Sequence, residues 1–207
     1  MDPASFFAQF SGWRIMAPSN AFDYIGMFNT AMRFEDPVLM LEHGMLYGET
    51  DQVPAEMPDG SHPMDYHIAY GKARVVREGS DVTVLTYLTG VNKCLQAAEA
   101  LAAEGTSAEV IDLRTLDYIG MDYEAIGRSL HKTGSVLTVE EGPRSLTLGA
   151  RIADEIQARF FDALDCPVGH VTAPDVPCMV SRVLEQAFIP SVERIQEQMR
   201  LGGRHAF

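Results

Sequence analysis

From about residue 80 onward, apolar segments of strand length alternate with segments whose apolar residues recur every three or four positions. Residues 81–88 are rich in β-branched and apolar side chains, which is typical of a buried strand, and residues 91–103 carry one apolar helical face. Further strands are predicted over 108–113, 135–139 and 168–171, and further helices over 122–132, 148–160, 180–187 and 192–199. The alternation predicts an α/β fold: an open, mostly parallel sheet with helices on both faces.

The first 47 residues follow the same rules but amount to one partial unit. Short strands over 13–17 and 38–41 flank a helix whose apolar residues recur at helical spacing, with Ser19 as its predicted N-cap. Pro37 prevents that helix from continuing. One βαβ unit is too small to enclose a core, so its apolar side chains need cover from the rest of the chain, another copy or a partner.

The segment between these two regions has the composition of a linker. Residues 48–70 hold three prolines and two glycines among acidic residues, which favours turns over regular structure. The predicted organisation is therefore a partial βαβ unit over 1–47, a linker over 48–70 and an α/β domain over 71–207.

Charge and cysteine content exclude several classes of function. The net charge is −13, and −8 of it falls within residues 1–70, so the chain repels phosphate backbones and we expect no nucleic-acid partner. No apolar run approaches the roughly 20 residues that span a bilayer, and the start lacks the basic segment of a signal peptide, so we expect no membrane association. The three cysteines, Cys94, Cys166 and Cys178, have no C-x-x-C spacing, which predicts neither a disulfide framework nor a zinc site.

Several short segments occur in a fixed order and cover nearly the whole chain. They include G-W-R-I-M-A-P-S-N from Gly12, D-P-V-L-M-L-E-H from Asp36, E-V-I-D-L-R-T-L from Glu109, V-E-E from Val139 and L-D-C-P from Leu164. This ordered set resembles the C-terminal portion of the β subunit of thiamine-diphosphate-dependent 2-oxo acid dehydrogenases, of the pyruvate or branched-chain type. The resemblance implies a transketolase-type C-terminal domain over 71–207 and a C-terminal remnant of a pyrimidine-binding domain over 1–47.

The resemblance also implies that the catalytic groups lie elsewhere. In the family, the glutamate that activates the aminopyrimidine and the histidine that assists acylation precede the region matching Met1, and the Gly-Asp-Gly motif for magnesium and diphosphate belongs to the α subunit. We therefore expect no catalytic and no cofactor-binding residue in this chain, which would be inactive alone. Thiamine diphosphate and magnesium are expected in the complete enzyme.

Two sites follow from the resemblance. β subunits of the family can hold a monovalent cation, potassium, at the end of the helix before Asp-Pro, where helix-end carbonyls lack intrahelical partners. The implied ligands are the carbonyls of Ala31, Met32 and Phe34, together with Asp36; water or ordinary capping is the alternative. Three further residues match a region near the subunit interface, as a titratable pair beside a channel or as an interface ion pair: Glu42, His43 and Tyr47.

The implied role is assembly. The chain would pair with an α subunit and a second β subunit, form a homo-oligomer and dock the lipoyl acyltransferase core, in the cytoplasm or in a mitochondrial matrix. The parent reaction would be oxidative decarboxylation of a 2-oxo acid with acyl transfer to lipoamide. Two alternatives stay open: part of an acetoin dehydrogenase or transketolase-like thiamine enzyme, and a non-catalytic scaffold or binding protein.

Overall fold

The computed structural model describes residues 3–53, 60, 62–177 and 180–202. Its helices and strands, in chain order, are α1 (Ala4–Phe7), β1 (Arg14–Met16), α2 (Ala21–Ala31), β2 (Val38–Met40), β3 (Arg74–Arg77), β4 (Val82–Thr86), α3 (Thr89–Ala102), β5 (Ala108–Asp112), α4 (Tyr123–Thr133), β6 (Val136–Pro143), α5 (Gly149–Phe160), β7 (Gly169–Ala173), α6 (Arg182–Phe188) and α7 (Val192–Leu201). Short 3-10 helices lie at Gly44–Gly48, Arg144–Leu146 and Phe161–Ala163.

Five strands form the main sheet, in the order β3-β5-β4-β6-β7. The four strands from β4 onward are parallel, and β3 pairs antiparallel with β5 at one edge. Helices α4 and α5 cover one face, and α3 and α7 cover the other. The predicted fold class is therefore confirmed, as are the strands and helices predicted from residue 80 onward.

Alternation along the buried strands supplies both cores. In β4, Val82 and Val84 face the core under α3 and α7, whereas Leu85 faces the core under α4 and α5. In β5, Val110 and Ile111 divide in the same way. Successive side chains of a strand point to opposite faces, so a sheet covered on both sides needs continuous apolar strands, as the sequence has here.

The N-terminal unit has the predicted strand, helix and strand, with β1 and β2 forming a two-stranded parallel sheet. The predicted N-cap was wrong. Asn20 caps α2, because its side-chain oxygen accepts a hydrogen bond from the Asp23 N–H at 2.7 Å. Ser19 instead donates to Asp112 at 2.5 Å, a partner 93 residues away that local pattern cannot indicate.

Part of the predicted linker lies along α2. The Asn29 side chain donates to the carbonyls of Met64 (2.5 Å) and Tyr66 (2.9 Å), and the Ile68 N–H donates to the Gly26 carbonyl at 3.0 Å. We call residues 64–68 the strap. Residues 54–59 and 61 of the predicted linker lie outside the described residues, and the predicted boundaries stay predictions.

The edge strand β3 and the short helix α1 were not predicted. β3 has arginines at both ends and its first two residues are exposed, so its four residues show no apolar pattern. It is a strand only because its backbone pairs with β5, a partner more than 30 residues further along the chain.

Two further features concern the cysteines and the helices. Cys94 is fully buried in α3, and this burial raises its pKa to about 12. Cys166 is partly buried, and Cys178 lies outside the described residues. None of the helices in the described part of the chain has the length and apolar character to cross a membrane.

Candidate functional site

The N-terminal unit is joined to the sheet through the segment that follows β5. The Ala17 N–H donates to the Arg114 carbonyl at 2.8 Å, and the Leu116 N–H donates to the Ile15 carbonyl at 2.9 Å. Met16 forms an isolated antiparallel bridge with Thr115. Backbone pairing thus places this unit beside the carboxyl ends of the parallel strands.

A cleft of about 430 Å³ opens where the chain order of the sheet reverses. The chain leaves central β4 for β5 on one side and later returns to β6 on the other side. In open α/β sheets, the crevice outside the carboxyl ends of the strands at such a switch point is the usual ligand position. The cleft walls come from the start of α3, the end of β6, α6 and residues 41–45.

One wall of this cleft carries backbone strain. Leu88, the residue before α3, has a φ of +49° although it has a side chain. L-residues other than glycine rarely adopt this region, and such strain clusters at functional sites. Leu88 thereby turns the chain sharply from β4 into α3 at the edge of the cleft.

Glu141 is the hub of the polar groups in the cleft. Its Oε1 accepts hydrogen bonds from Thr89 Oγ1 (2.8 Å) and Lys93 Nζ (2.7 Å), and its Oε2 lies 3.0 Å from His43 Nε2. Burial pushes the pKa of Glu141 upward, but hydrogen bonding and the charge of Lys93 outweigh it and hold the pKa below its ordinary value. His43 Nδ1 accepts a hydrogen bond from the Met45 N–H at 3.2 Å. The Nε2–H of the neutral ring therefore donates the hydrogen bond to Glu141.

A second cleft, of about 530 Å³, lies on the other side of His43. At its wall the Glu42 carboxylate accepts hydrogen bonds from the hydroxyls of Tyr47 (2.6 Å) and Tyr24 (2.7 Å), and these bonds lower the pKa of Glu42. The three predicted interface residues, Glu42, His43 and Tyr47, therefore lie together between two clefts. Glu42 bonds to the two tyrosines and His43 to Glu141, so these contacts do not pair Glu42 with His43. The place of the three residues at a subunit interface stays a prediction.

Two of the implied potassium ligands, Ala31 and Asp36, already have protein partners. The Ala31 carbonyl accepts a hydrogen bond from the Phe34 N–H at 3.1 Å, which is ordinary helix-end capping. Asp36 accepts two hydrogen bonds from Arg14, at 2.8 and 2.5 Å, and the guanidinium lies 4.1 Å from the centre of the Phe34 ring. Arg14 thus supplies a positive charge to Asp36, and potassium binding at Ala31, Met32, Phe34 and Asp36 stays a prediction.

The larger cleft does not fit a magnesium-bound diphosphate. Among the residues that the structure describes, no group of three or more histidine, cysteine, aspartate or glutamate side chains could hold a metal ion. The described lining of the larger cleft carries Glu42, Glu49 and Asp51 without a lysine or arginine, which repels a phosphate group. The smaller cleft has Lys93 and Arg182 in its lining, and its Glu140 accepts hydrogen bonds from the backbone N–H groups of Leu148 and Gly149 at the start of α5.

Sequence reasoning missed Lys93 and Thr89 as site residues. Glu141 was noticed only as part of the V-E-E segment, and no local pattern indicates that it meets His43, 98 residues away. Their positions in the chain could have indicated the site. Thr89 follows the central strand β4 and Glu141 lies in the neighbouring strand β6, next to the switch point of the sheet.

Comparison with known proteins identifies the domain. The family model described as the transketolase C-terminal domain matches residues 71–195. A solved structure described as a split-gene transketolase, inactive β4 tetramer, has a TM-score of 0.78 at 23% identity, over 99% of this chain and 62% of that chain. At that identity the likeness shows the fold alone.

Curated relatives extend the match into the N-terminal unit. The mitochondrial pyruvate dehydrogenase E1 component subunit β of Dictyostelium discoideum is 38% identical over 192 residues, 93% of this chain and 52% of the relative. The corresponding protein of Rattus norvegicus is 37% identical over 193 residues, 93% of this chain and 52% of the relative. The acetoin:2,6-dichlorophenolindophenol oxidoreductase subunit β of Cupriavidus necator is 35% identical over 202 residues, 96% of this chain and 57% of the relative.

The chain thus spans about half the length of the curated relatives it matches. The family model matches residues 71–195, which are more than half of the chain and include the main sheet. The chain belongs to the transketolase C-terminal domain family, and within it the chain is similar to the C-terminal portion of pyruvate dehydrogenase-type β subunits.

Proposed function

We propose that the chain is part of the β subunit of a thiamine-diphosphate-dependent 2-oxo acid dehydrogenase. The parent reaction is oxidative decarboxylation of pyruvate or a branched-chain 2-oxo acid, with acyl transfer to lipoamide. The observation that carries this proposal is the 38% identity over 192 residues with a pyruvate dehydrogenase β subunit. Residues 71–207 are the transketolase-type domain in this proposal, and residues 1–47 are the remnant of the pyrimidine-binding domain.

The proposed contribution of this chain is assembly rather than chemistry. Its partners are an α subunit, a second β subunit and the lipoyl acyltransferase core. Large apolar side chains exposed on the N-terminal unit support a buried position for that unit in the complex. They are Phe6, Phe10, Trp13, Phe28, Met32 and Met45.

Thiamine diphosphate and magnesium belong to the complete enzyme in this proposal, held by parts outside this chain. The acidic lining of the larger cleft supports that assignment, because a diphosphate needs compensating positive charge. We place the complex in the cytoplasm, or in the mitochondrial matrix if the source is eukaryotic.

Acetoin dehydrogenase is the second candidate. The 35% identity with the β subunit of an acetoin oxidoreductase is close to the values for the pyruvate dehydrogenase relatives, so overall similarity does not separate the substrates. The two candidates are distinguished by whether the assembled enzyme oxidises a 2-oxo acid or acetoin.

The test measures reduction of dichlorophenolindophenol in the presence of thiamine diphosphate and magnesium, with pyruvate, a branched-chain 2-oxo acid or acetoin. The purified chain alone should show no turnover, because it lacks the groups that the cofactor needs. Adding it to the remaining E1 components from the same source should produce activity with a 2-oxo acid.

Each other outcome has a defined reading. Turnover by the chain alone would contradict the proposed division of labour. Activity with acetoin only would favour the second candidate. A chain that neither restores activity nor co-purifies with any E1 component would support the scaffold alternative.

A further inference from the structure

Four side chains connect the N-terminal unit to the sheet domain through buried charge. Ser19 precedes α2 and Asp23 lies in its first turn, whereas Asp112 ends β5 and Arg114 follows it. We call this group the joint. It lies beside the backbone hydrogen bond from the Ala17 N–H to the Arg114 carbonyl, which also joins the two parts.

Arg114 makes the strongest connection in the joint. Its Nε and Nη2 donate to the two oxygens of Asp23, at 2.9 and 2.5 Å, and the Asp23 side chain is inaccessible to solvent. Arg114 has a φ of +57°, an uncommon conformation for a residue with a side chain. The contacts with the N-terminal unit therefore hold this residue in a strained backbone conformation.

Asp112 is the second buried carboxylate of the joint. Its Oδ2 accepts from Ser19 Oγ at 2.5 Å, and its Oδ1 accepts from the Arg114 N–H at 3.1 Å. The charged groups that face it are Asp23 on α2, Arg114 after β5, and Arg74, its neighbour on β3. Arg74 is half exposed and lies 3.8 Å from Asp23, so the two buried carboxylates share one fully engaged guanidinium.

This balance makes the ionisation of Asp112 less favourable than that of an exposed aspartate. Burial raises the pKa of Asp112 to about 6, and the negative charge of Asp23 adds to the rise. The hydrogen bonds from Ser19 and Arg114 and the charge of Arg114 oppose it. A second negative charge in this site lacks a buried cation of its own.

We propose that the joint is a pH-dependent latch, in which protonated Asp112 holds the N-terminal unit against the sheet and ionised Asp112 loosens it. Both clefts include Leu41, Glu42 and His43 of the N-terminal unit in their walls. Loosening the joint therefore changes the opening of both clefts together.

The direction follows from linkage. The pKa of Asp112 is higher in the closed joint than its ordinary value of 3.8, so the closed state is favoured below pH 4 and loses that advantage as pH rises to about 6. Between pH 5 and pH 7 the equilibrium constant for opening should rise roughly tenfold.

The Ala17 and Leu116 amides donate across the boundary between the two parts, so their hydrogen exchange, corrected for intrinsic exchange rates, measures this opening in the full chain. In the wild type, protection of these amides should fall roughly tenfold between pH 5 and pH 7. Asp112→Asn should abolish the change, because asparagine does not titrate. Asp154→Asn, at an exposed position on α5, is the matched control and should keep it.

A second variant tests the chemistry if Asp112→Asn fails to fold. The Ser19 hydroxyl stabilises the ionised carboxylate, so Ser19→Ala should move the midpoint of the pH profile to higher pH. The latch is refuted if Asp112→Asn keeps the full pH dependence, or if Ser19→Ala leaves the midpoint unchanged.

Discussion

The sheet domain and the N-terminal unit are stabilised in different ways. In the sheet domain, apolar clusters fill both faces of the sheet, and side chains such as Leu101 and Ile126 are inaccessible to solvent. In the N-terminal unit, all three residues of β2 are only partly buried, and Phe28 on α2 and Met32 at its C-cap are exposed. The two regions share one core, because Ile15, Ala17 and Leu41 of the N-terminal unit pack in the cluster under α4 and α5. The outer face of the N-terminal unit, in contrast, depends on its neighbours for cover.

The difference shows how a partial domain can remain ordered. Besides the buried apolar contacts of β1 with the core, the N-terminal unit is held by the polar joint, by backbone pairing with residues 114–116 and by the strap along α2. Apolar burial is non-directional and varies little with pH, whereas buried polar networks depend on geometry and on protonation. Substitutions in the two regions should therefore differ in kind as well as in magnitude.

The largest effect is expected in the sheet domain. Leu101→Ala removes a fully buried side chain between α3 and the sheet and should lower the free energy of unfolding by about 3–5 kcal/mol. Urea denaturation followed by far-UV circular dichroism measures it. Met32→Ala, at the C-cap of α2 where the side chain is 71% exposed, is the control and should change stability by less than about 0.5 kcal/mol. Equal losses would remove the contrast between the regions.

A smaller effect is expected at the joint. Among the residues that the structure describes, Arg114→Ala leaves the buried Asp23 carboxylate with Arg74, at 3.8 Å, as its one remaining cation, which should cost about 2–4 kcal/mol. The fluorescence of Trp13, the single tryptophan, should then change at lower urea concentration than the circular dichroism signal, because the N-terminal unit separates first.

The control for the joint is a surface ion pair. Arg128→Ala removes an exposed pair with Glu124 on α4 and should change stability by at most about 0.5 kcal/mol. Coincident fluorescence and circular dichroism transitions in Arg114→Ala would show that the two regions unfold as one unit.

The smallest effect is expected under the strap. A Cβ at Gly26 would lie 2.7 Å from side-chain atoms of both Ile68 and Tyr66, so Gly26→Ala must displace the strap. Alanine's better helix propensity offsets part of the cost, which leaves a net loss of about 1 kcal/mol. Gly44→Ala, where a Cβ meets open space, should be neutral in the same denaturation experiment. A Gly26→Ala protein of wild-type stability would show that the strap contributes nothing.

The sequence alone determined the architecture of the sheet domain. Continuous apolar strands such as β4 and the one-sided faces of α3 and α5 are local patterns, and they predict strand and helix without knowledge of their partners. The ordered family segments likewise indicated the transketolase-type domain, which the family model over residues 71–195 confirms.

Tertiary structure alone decided the site and the joint. Ser19 was predicted to cap α2 but bonds to Asp112, and Glu141 meets His43 across the boundary between the two regions. The edge strand β3 exists only through its pairing with β5. Each of these contacts joins residues more than 30 positions apart, and periodicity records which face of an element is apolar but not which distant side chain a polar group will meet.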